Sequence, residues 1–333
     1  MTTWPRQARG LWFTGVRQAE LRPAEIRQPS PEDVVVRCVA SLISAGTEML
    51  IYRGETTPDE FLPPTSEGTF PFPVKYGYQC VGRVEQAGQE SGYRVGQRVF
   101  ARHPHQDVFT IRADPTLLTR LPDQVDDEAA TFINLTRVAL TALLDAPVRV
   151  GETAVIFGQG IVGIMCARLA RLTAARVIVV DRIPARREIA LRYGADAAVT
   201  PEAVRDVVNE LSHGRGADVS IEASGAPAAL QSAIEVTGPD GQIVVLSYYG
   251  TRQVQLRLAP EFHFRRHRII SSQAGSQLRW DWARRTQATV ELLSHMRVAD
   301  MVSARIPFSD APHGYQLLDQ HPEQTLGVIL QYA

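Results

Sequence analysis

Cysteine is scarce in this chain: 3 among 333 residues, Cys38, Cys80 and Cys166, with no C-x-x-C pair. That excludes a disulfide framework and a cysteine-built structural zinc knuckle, and it suits a reducing compartment. No run approaches the roughly 18 apolar residues that cross a bilayer. The opening MTTWPRQARG holds no apolar stretch of the kind that directs export. The expected location is therefore cytoplasmic, with no membrane partner. An excess of charge is also lacking, since 35 Lys and Arg against 36 Asp and Glu leave a net charge of −1. No global field recruits nucleic acid, and none is expected as a partner. The basic run Arg265, Arg266, His267, Arg268 is local and reads as a solvated surface.

What is present is the make-up of an ordinary globular enzyme, 44% hydrophobic and 21% charged, and long enough for two cores. The most informative stretch runs from Thr153 to Asp181, TAVIFGQGIVGIMCARLARLTAARVIVVD. A short apolar run breaks at Gly158, Gly160 and Gly163, passes into an amphipathic helix, and ends in a second apolar run closed by an acid. This is the pattern of a dinucleotide site. Gly158 permits the tight turn, Gly160 lets backbone approach a pyrophosphate, and Gly163 allows helix to pack on strand. The helix N-terminus at Ile161 and Val162 presents free N–H groups to the anion. Asp181 stands where a ribose-binding acid is expected, which favours NAD over NADP. Arg182, Arg186 and Arg187 follow closely and leave NADP open. Ser224 and Tyr248, at the C-terminal ends of two later strands, complete the expected cofactor residues.

The first 125 residues or so carry short β-rich runs between turn-rich segments, as in a partly closed β domain. From about Asp126 the pattern becomes alternating helices and strands. A helix is expected over 129–146, strands at 155–157, 177–180, 197–200, 218–225, 242–250 and 268–273, and helices between them. Such alternation specifies a parallel sheet wound on both faces. An amphipathic helix (280–295) and a terminal strand (325–332) most economically rejoin the first domain.

With these elements in order, the chain resembles the medium-chain dehydrogenase/reductase superfamily, which includes alcohol and polyol dehydrogenases and the quinone and enoyl reductases. The resemblance rests on the GTE and G-Y-Q elements, the glycine motif and the returning segment RIPFSDAPHGYQLLD. It implies an α/β architecture, a GroES-like β-rich catalytic domain plus a doubly wound parallel Rossmann domain. The implied division is 1–133 with 278–333 for the catalytic domain and 134–277 for the nucleotide domain. It also implies a small-molecule substrate and a homodimer or homotetramer joined through Rossmann edge strands, for which 242–249 and 268–273 are candidates.

Against the zinc members of that family, Ala45 stands for a ligand Cys and Tyr78 for a ligand His, and only Asn134 is polar near the third ligand position. The lobe that carries structural zinc is missing. A catalytic zinc needs about three good ligands, so no zinc is expected, although Cys80, His103, His105 and Glu48 are ligand types. Without the metal, side chains must polarise the oxygen and move its proton. Tyr78 and Thr47 are the expected groups by resemblance. His103, or His105 beside it, could titrate near neutrality as an acid/base. Glu48 matches an acid that pairs structurally with an arginine. Met49, Tyr52, Phe109, Trp280 and Trp282 are candidate pocket walls or core. The leading expectation is a zinc-independent, NAD(H)-dependent oxidoreductase acting on a secondary alcohol or its ketone. A zinc-free NAD(P)H-dependent enoyl or quinone reductase and a non-catalytic dinucleotide-binding protein are the alternatives.

Overall fold

The computed structural model describes residues 4–56, 65–173, 175–275 and 279–333. The chain divides into two units, Met1–Asn134 with Trp282–Ala333, and Leu135–Asp281. The expected boundary between residues 277 and 278 lies outside the described residues.

The second unit is a six-stranded parallel sheet. Its spatial order is Ala197–Val199, Arg176–Val180, Thr153–Phe157, Ala217–Glu222, Thr237–Val245, Arg268–Ser271. The chain starts in the middle, builds outward to one side, then returns to build the other. Thr153–Phe157 is buried along its whole length, which is why TAVIF reads as a continuous apolar run rather than an alternating one. It pairs with Arg176–Val180 on one side and Ala217–Glu222 on the other. Sequence order reverses between these neighbours, and ligands bind outside the strand ends at such a point. The expected strand over 242–250 is shifted. It runs Thr237–Val245, and the N–H groups of Leu246 and Ser247 both turn to the Glu222 carbonyl, ending the ladder. Both of its edges are paired, so of the two strands expected to join subunits only Arg268–Ser271 keeps a free edge.

In the first unit, the C-terminal strand Val328–Gln331 pairs antiparallel with Asp33–Ile43, setting Val328 opposite Ile43. This is the return expected from sequence. Asp33–Ile43 also pairs with Cys80–Ala87 and Val108–Arg112, in a seven-stranded sheet. A second, four-stranded sheet is built on Arg6–Gly15 and Gln18–Ile26. The helix expected over 129–146 is broken into Asp127–Ala130 and Ile133–Asp145. The break has a local cause: Thr131 and Phe132 bond back three residues, to Glu128 and Ala129, and the Thr131 hydroxyl also donates to the Glu128 carbonyl. The backbone tightens there and the α-helical ladder stops. Among the described residues no helix is long and apolar enough to cross a membrane.

Candidate active site

The candidate nucleotide site, in the second unit, is made largely of backbone. Gly158 sits at φ +86°, and a Cβ there would lie 2.6 Å from Cβ of Ser224 on the neighbouring strand end. Only glycine takes that conformation in that space. A Cβ on Gly163 would meet the Gly158 carbonyl oxygen at 1.8 Å, so helix and loop are in direct backbone contact. Gly160 caps the helix Ile161–Arg171 without a side-chain bond, and a Cβ there would meet nothing within 4 Å. Open space therefore adjoins a helix start whose first N–H groups, at Ile161, Val162 and Gly163, have no partner within the helix. That is a cradle of the shape a pyrophosphate fills.

Asp181 holds the loop from the next strand. One carboxylate oxygen accepts the Gln159 N–H at 2.6 Å and the other the Ile183 N–H at 2.8 Å. A carboxylate has about four lone-pair sites, so acceptors remain for ribose hydroxyls. Arg182 is exposed, while the Arg187 guanidinium turns to the backbone carbonyls of Asp181 and Arg182. The exposed Ser224 donates its N–H and hydroxyl to one oxygen of the buried Glu222, at 2.7 and 2.6 Å. The other Glu222 oxygen accepts the Tyr249 hydroxyl at 2.8 Å. Burial, then the Glu222 charge and bond, push that phenol well up. Tyr248, at 38% exposure, projects beyond the strand end. Glu222 was not anticipated; an acid closing a largely apolar strand, two residues before a serine, was the available signal. The basic run is less solvated than expected: Arg265 donates to the carbonyls of Glu235 and Thr237, and His267 is buried.

The first unit gathers the reactive side chains. Tyr78 is 8% exposed, with the Ser44 and Thr47 side chains near its hydroxyl. Burial, followed by the Glu48 charge, raises this phenol far above its ordinary value and outweighs the hydroxyl contacts and Arg102. It stays neutral near pH 7 and acts as a donor. Thr47 opens a short helix and is half-buried, so the hydroxyl pair reaches toward solvent there.

Glu48 corrects the expectation of an arginine partner. Its carboxylate accepts from the Ser44 N–H at 3.1 Å, from the Tyr315 hydroxyl at 2.6 Å, and from His105 Nε2 at 3.0 Å. Both partners of this ion pair are fully buried. Burial opposes charge on His105, but the Glu48 charge and the bonds to Cys80 and Glu48 outweigh it and lift the imidazole to about 10. His105 Nδ1 meets the Ser41 hydroxyl at 2.7 Å, which in turn meets the Tyr332 hydroxyl at 2.8 Å. His103 is also buried. Its ring stacks on Phe109 with centroids 3.8 Å apart, and burial, then the Lys75 and His105 charges, hold it down to about 3. That removes the near-neutral titration on which its expected acid/base role rested. Met49, Tyr52 and Phe109 lie in apolar cores, and Trp282 packs under the Arg102 guanidinium at 4.7 Å.

Residues 162–291 match the family model for zinc-binding dehydrogenases. The D-guloside 3-dehydrogenase of Shigella flexneri is 32% identical over 263 residues, covering 75% of this chain and 75% of the relative. The chain belongs to the medium-chain dehydrogenase/reductase superfamily. It is accordingly an NAD(P)-dependent dehydrogenase/reductase of the medium-chain class. Two solved structures share the fold. An Escherichia coli oxidoreductase/dehydrogenase of unknown specificity has a TM-score of 0.83 at 17% identity, covering 98% of this chain and all of that one. An alcohol dehydrogenase of Escherichia coli CFT073 in complex with NADH has a TM-score of 0.80 at 18% identity, covering 98% and 99%.

Within this superfamily the zinc members set the comparison for the first unit. Ala45 offers no donor atom, the Tyr78 phenol is held neutral by burial and the Glu48 charge, and Gln79 donates to the Leu42 carbonyl. Among the described residues no group of three or more His, Cys, Asp or Glu has the arrangement of a metal site. The donor set does not fit a catalytic zinc.

Proposed function

We propose that this medium-chain enzyme is a zinc-independent, NAD(H)-dependent dehydrogenase moving hydride between nicotinamide and a secondary alcohol or its ketone. The observation that carries this reading is the buried Tyr78 phenol beside the Ser44 and Thr47 side chains, at the position where zinc relatives place a ligand. The glycine cradle, Asp181 and Ser224 fit the cofactor, and the Asp181 carboxylate would repel a 2′-phosphate, favouring NAD. The bound nicotinamide supplies the hydride acceptor or donor.

The chain's own residues handle the proton. In the reducing direction Tyr78 donates a hydrogen bond to the carbonyl oxygen and then its proton, and Thr47 returns one to the phenol while it takes one from solvent. In the oxidising direction the same protons move outward: alcohol to Tyr78 as Tyr78 gives its own to Thr47, which is half-exposed. Such a relay needs no free phenolate, which suits a phenol held far above neutrality. A sugar-ring or diol substrate is supported by the relative that acts as a D-guloside 3-dehydrogenase. A homodimer or homotetramer could form through the free edge of Arg268–Ser271.

The test pairs NAD+ and NADP+ titrations with elemental analysis and a panel of glycosides, polyols and vicinal diols. Turnover with NAD+ by protein containing less than about 0.1 zinc per chain is expected, and Tyr78→Phe should lower kcat by at least ~100-fold. Zinc-dependent turnover, or full activity of the Phe variant, would overturn the reading.

A further inference from the structure

We infer that the buried Glu48–His105 ion pair is a positioning device that holds the Thr47 and Tyr78 hydroxyls in register. The inference rests on the proposed role of Tyr78. Three contacts carry it. Glu48 directly follows Thr47 in the short helix Thr47–Tyr52, and its carboxylate closes the preceding loop by accepting the Ser44 N–H at 3.1 Å. The Ser44 and Thr47 side chains stand near the phenol and oppose the rise of its pKa. On the other side, the His105 ring packs against the chain at Gly77, just before Tyr78. A Cβ on Gly77 would be 2.8 Å from Cδ2 and 3.1 Å from Nε2 of His105, and Gly77 itself sits at φ +130°. One imidazole therefore packs against Gly77, just before Tyr78, and holds the Thr47–Glu48 segment through Nε2.

The pair is itself anchored at both ends. Tyr315, from the helix Ala311–Gln320, donates to Glu48 at 2.6 Å. Ser41, on the central strand Asp33–Ile43, meets His105 Nδ1 at 2.7 Å. A buried ion pair contributes little net stability relative to an apolar filling of the same space. It does fix geometry, because each charged group has a short list of acceptable partners and directions. The titratable and charged groups facing Tyr78 are Glu48, Arg102, Tyr76 and Tyr315. Those facing His105 are Glu48, Cys80 and His103. Among the groups facing the phenol, Glu48 is the fixed anion.

The test uses Glu48→Gln and the double variant Glu48→Gln with His105→Gln, which keeps an amide pair of similar size and so guards against a misfolded single variant. Absorbance at 295 nm, taken as the difference between each protein and its Tyr78→Phe counterpart, reads the Tyr78 phenol without any substrate. Wild type should show no Tyr78 ionisation up to pH 11, and either variant should bring it down by at least one pH unit. With NAD+ and the glycoside or diol turned over fastest in the panel, kcat should fall at least tenfold in the double variant. KM for NAD+ and the melting temperature should stay near wild type. A double variant that melts like wild type, keeps full kcat and leaves the phenol unmoved would show that the pair only holds the fold. Activity surviving Tyr78→Phe would instead remove the role of Tyr78, a separate outcome.

Discussion

The two units solve their chemical problems with different materials. In the nucleotide unit the atoms proposed to hold the cofactor are mainly main-chain N–H groups at Ile161, Val162 and Gly163, beside a glycine-rich turn. In the β-rich unit they are side chains drawn together from far along the sequence. His105 reaches Glu48 across 57 residues, and Tyr315 reaches the same carboxylate across 267. A backbone site is intolerant of added volume, whereas a side-chain site is intolerant of lost charge. Substitutions in each unit test that difference.

The largest effect is expected at Gly163. An alanine there places a carbon 1.8 Å from the Gly158 oxygen, so loop and helix must separate. A loss of about 3 kcal/mol is expected, at the upper end for overpacking, with NAD+ binding abolished by calorimetry. Gly160→Ala is the control, since its Cβ meets nothing within 4 Å. Unfolding midpoints should not move, while NAD+ affinity falls by more than tenfold because the methyl stands where the anion approaches. Equal destabilisation by both substitutions would break the contrast between structural and ligand-facing glycines.

In the other unit the corresponding blow is His105→Ala. It strands Glu48 as a buried, unbalanced charge, for about 3–5 kcal/mol in urea unfolding. The pair also makes stability pH-dependent. His105 is lifted from 6.5 to about 10 in the folded chain, so its contribution is complete below pH 6.5 and is lost as pH rises through 10. Wild type should therefore lose stability between pH 7 and 10.5 relative to the Glu48→Gln, His105→Gln double variant. Parallel pH curves for the two proteins would contradict the protonated state of His105.

Legibility in the sequence follows the same divide. The glycine spacing, the fully buried TAVIF strand and the returning C-terminal strand were all readable, because each depends on local periodicity or on residues within one βαβ unit. The expected parallel sheet and its β-rich companion follow from that pattern, and superfamily membership agrees with the glycine motif and the GTE and G-Y-Q elements. The polar network was not readable. Nothing in the window around Glu48 tells that its partners are His105 and Tyr315, and an acid beside a threonine suggested an arginine instead. Nothing in the local His-Pro-His sequence tells that both imidazoles are buried, or that His103 stacks on Phe109. The break at Thr131 was hidden for a different reason: apolar spacing continues across 129–146 while the backbone changes its bonding partners. Strand ends slipped likewise, since Thr237–Val245 is bounded by its neighbours' ladders and not by its own composition.

A smaller effect is expected at Asp181. Asp181→Asn keeps an acceptor but removes the charge that would oppose a 2′-phosphate, so the NAD+ to NADP+ preference should narrow by about tenfold, near 1.4 kcal/mol. The asparagine NH2 can also repel the Gln159 or Ile183 N–H that the carboxylate now accepts, so NAD+ affinity itself should weaken. An unchanged preference in competition titrations would assign Asp181 to loop bracing alone.

The smallest effect belongs to an ion pair with better hydrogen-bond geometry than the buried one. Arg305 grips Glu128 with two bonds, 2.6 and 2.7 Å, linking the C-terminal part of the β-rich unit to its first part. Its side chains are 41% and 31% exposed, against 0% for both His105 and Glu48. Water and salt already satisfy these groups when they part, so Arg305→Gln should cost less than ~1 kcal/mol, and less still in 0.5 M salt. Removing His105 leaves its partner with no such refuge. The two ion pairs differ chiefly in access to solvent, and double-mutant cycles on both in one protein measure that difference directly. A coupling energy at Arg305–Glu128 equal to that at His105–Glu48 would mean that burial is not what gives the inner pair its hold.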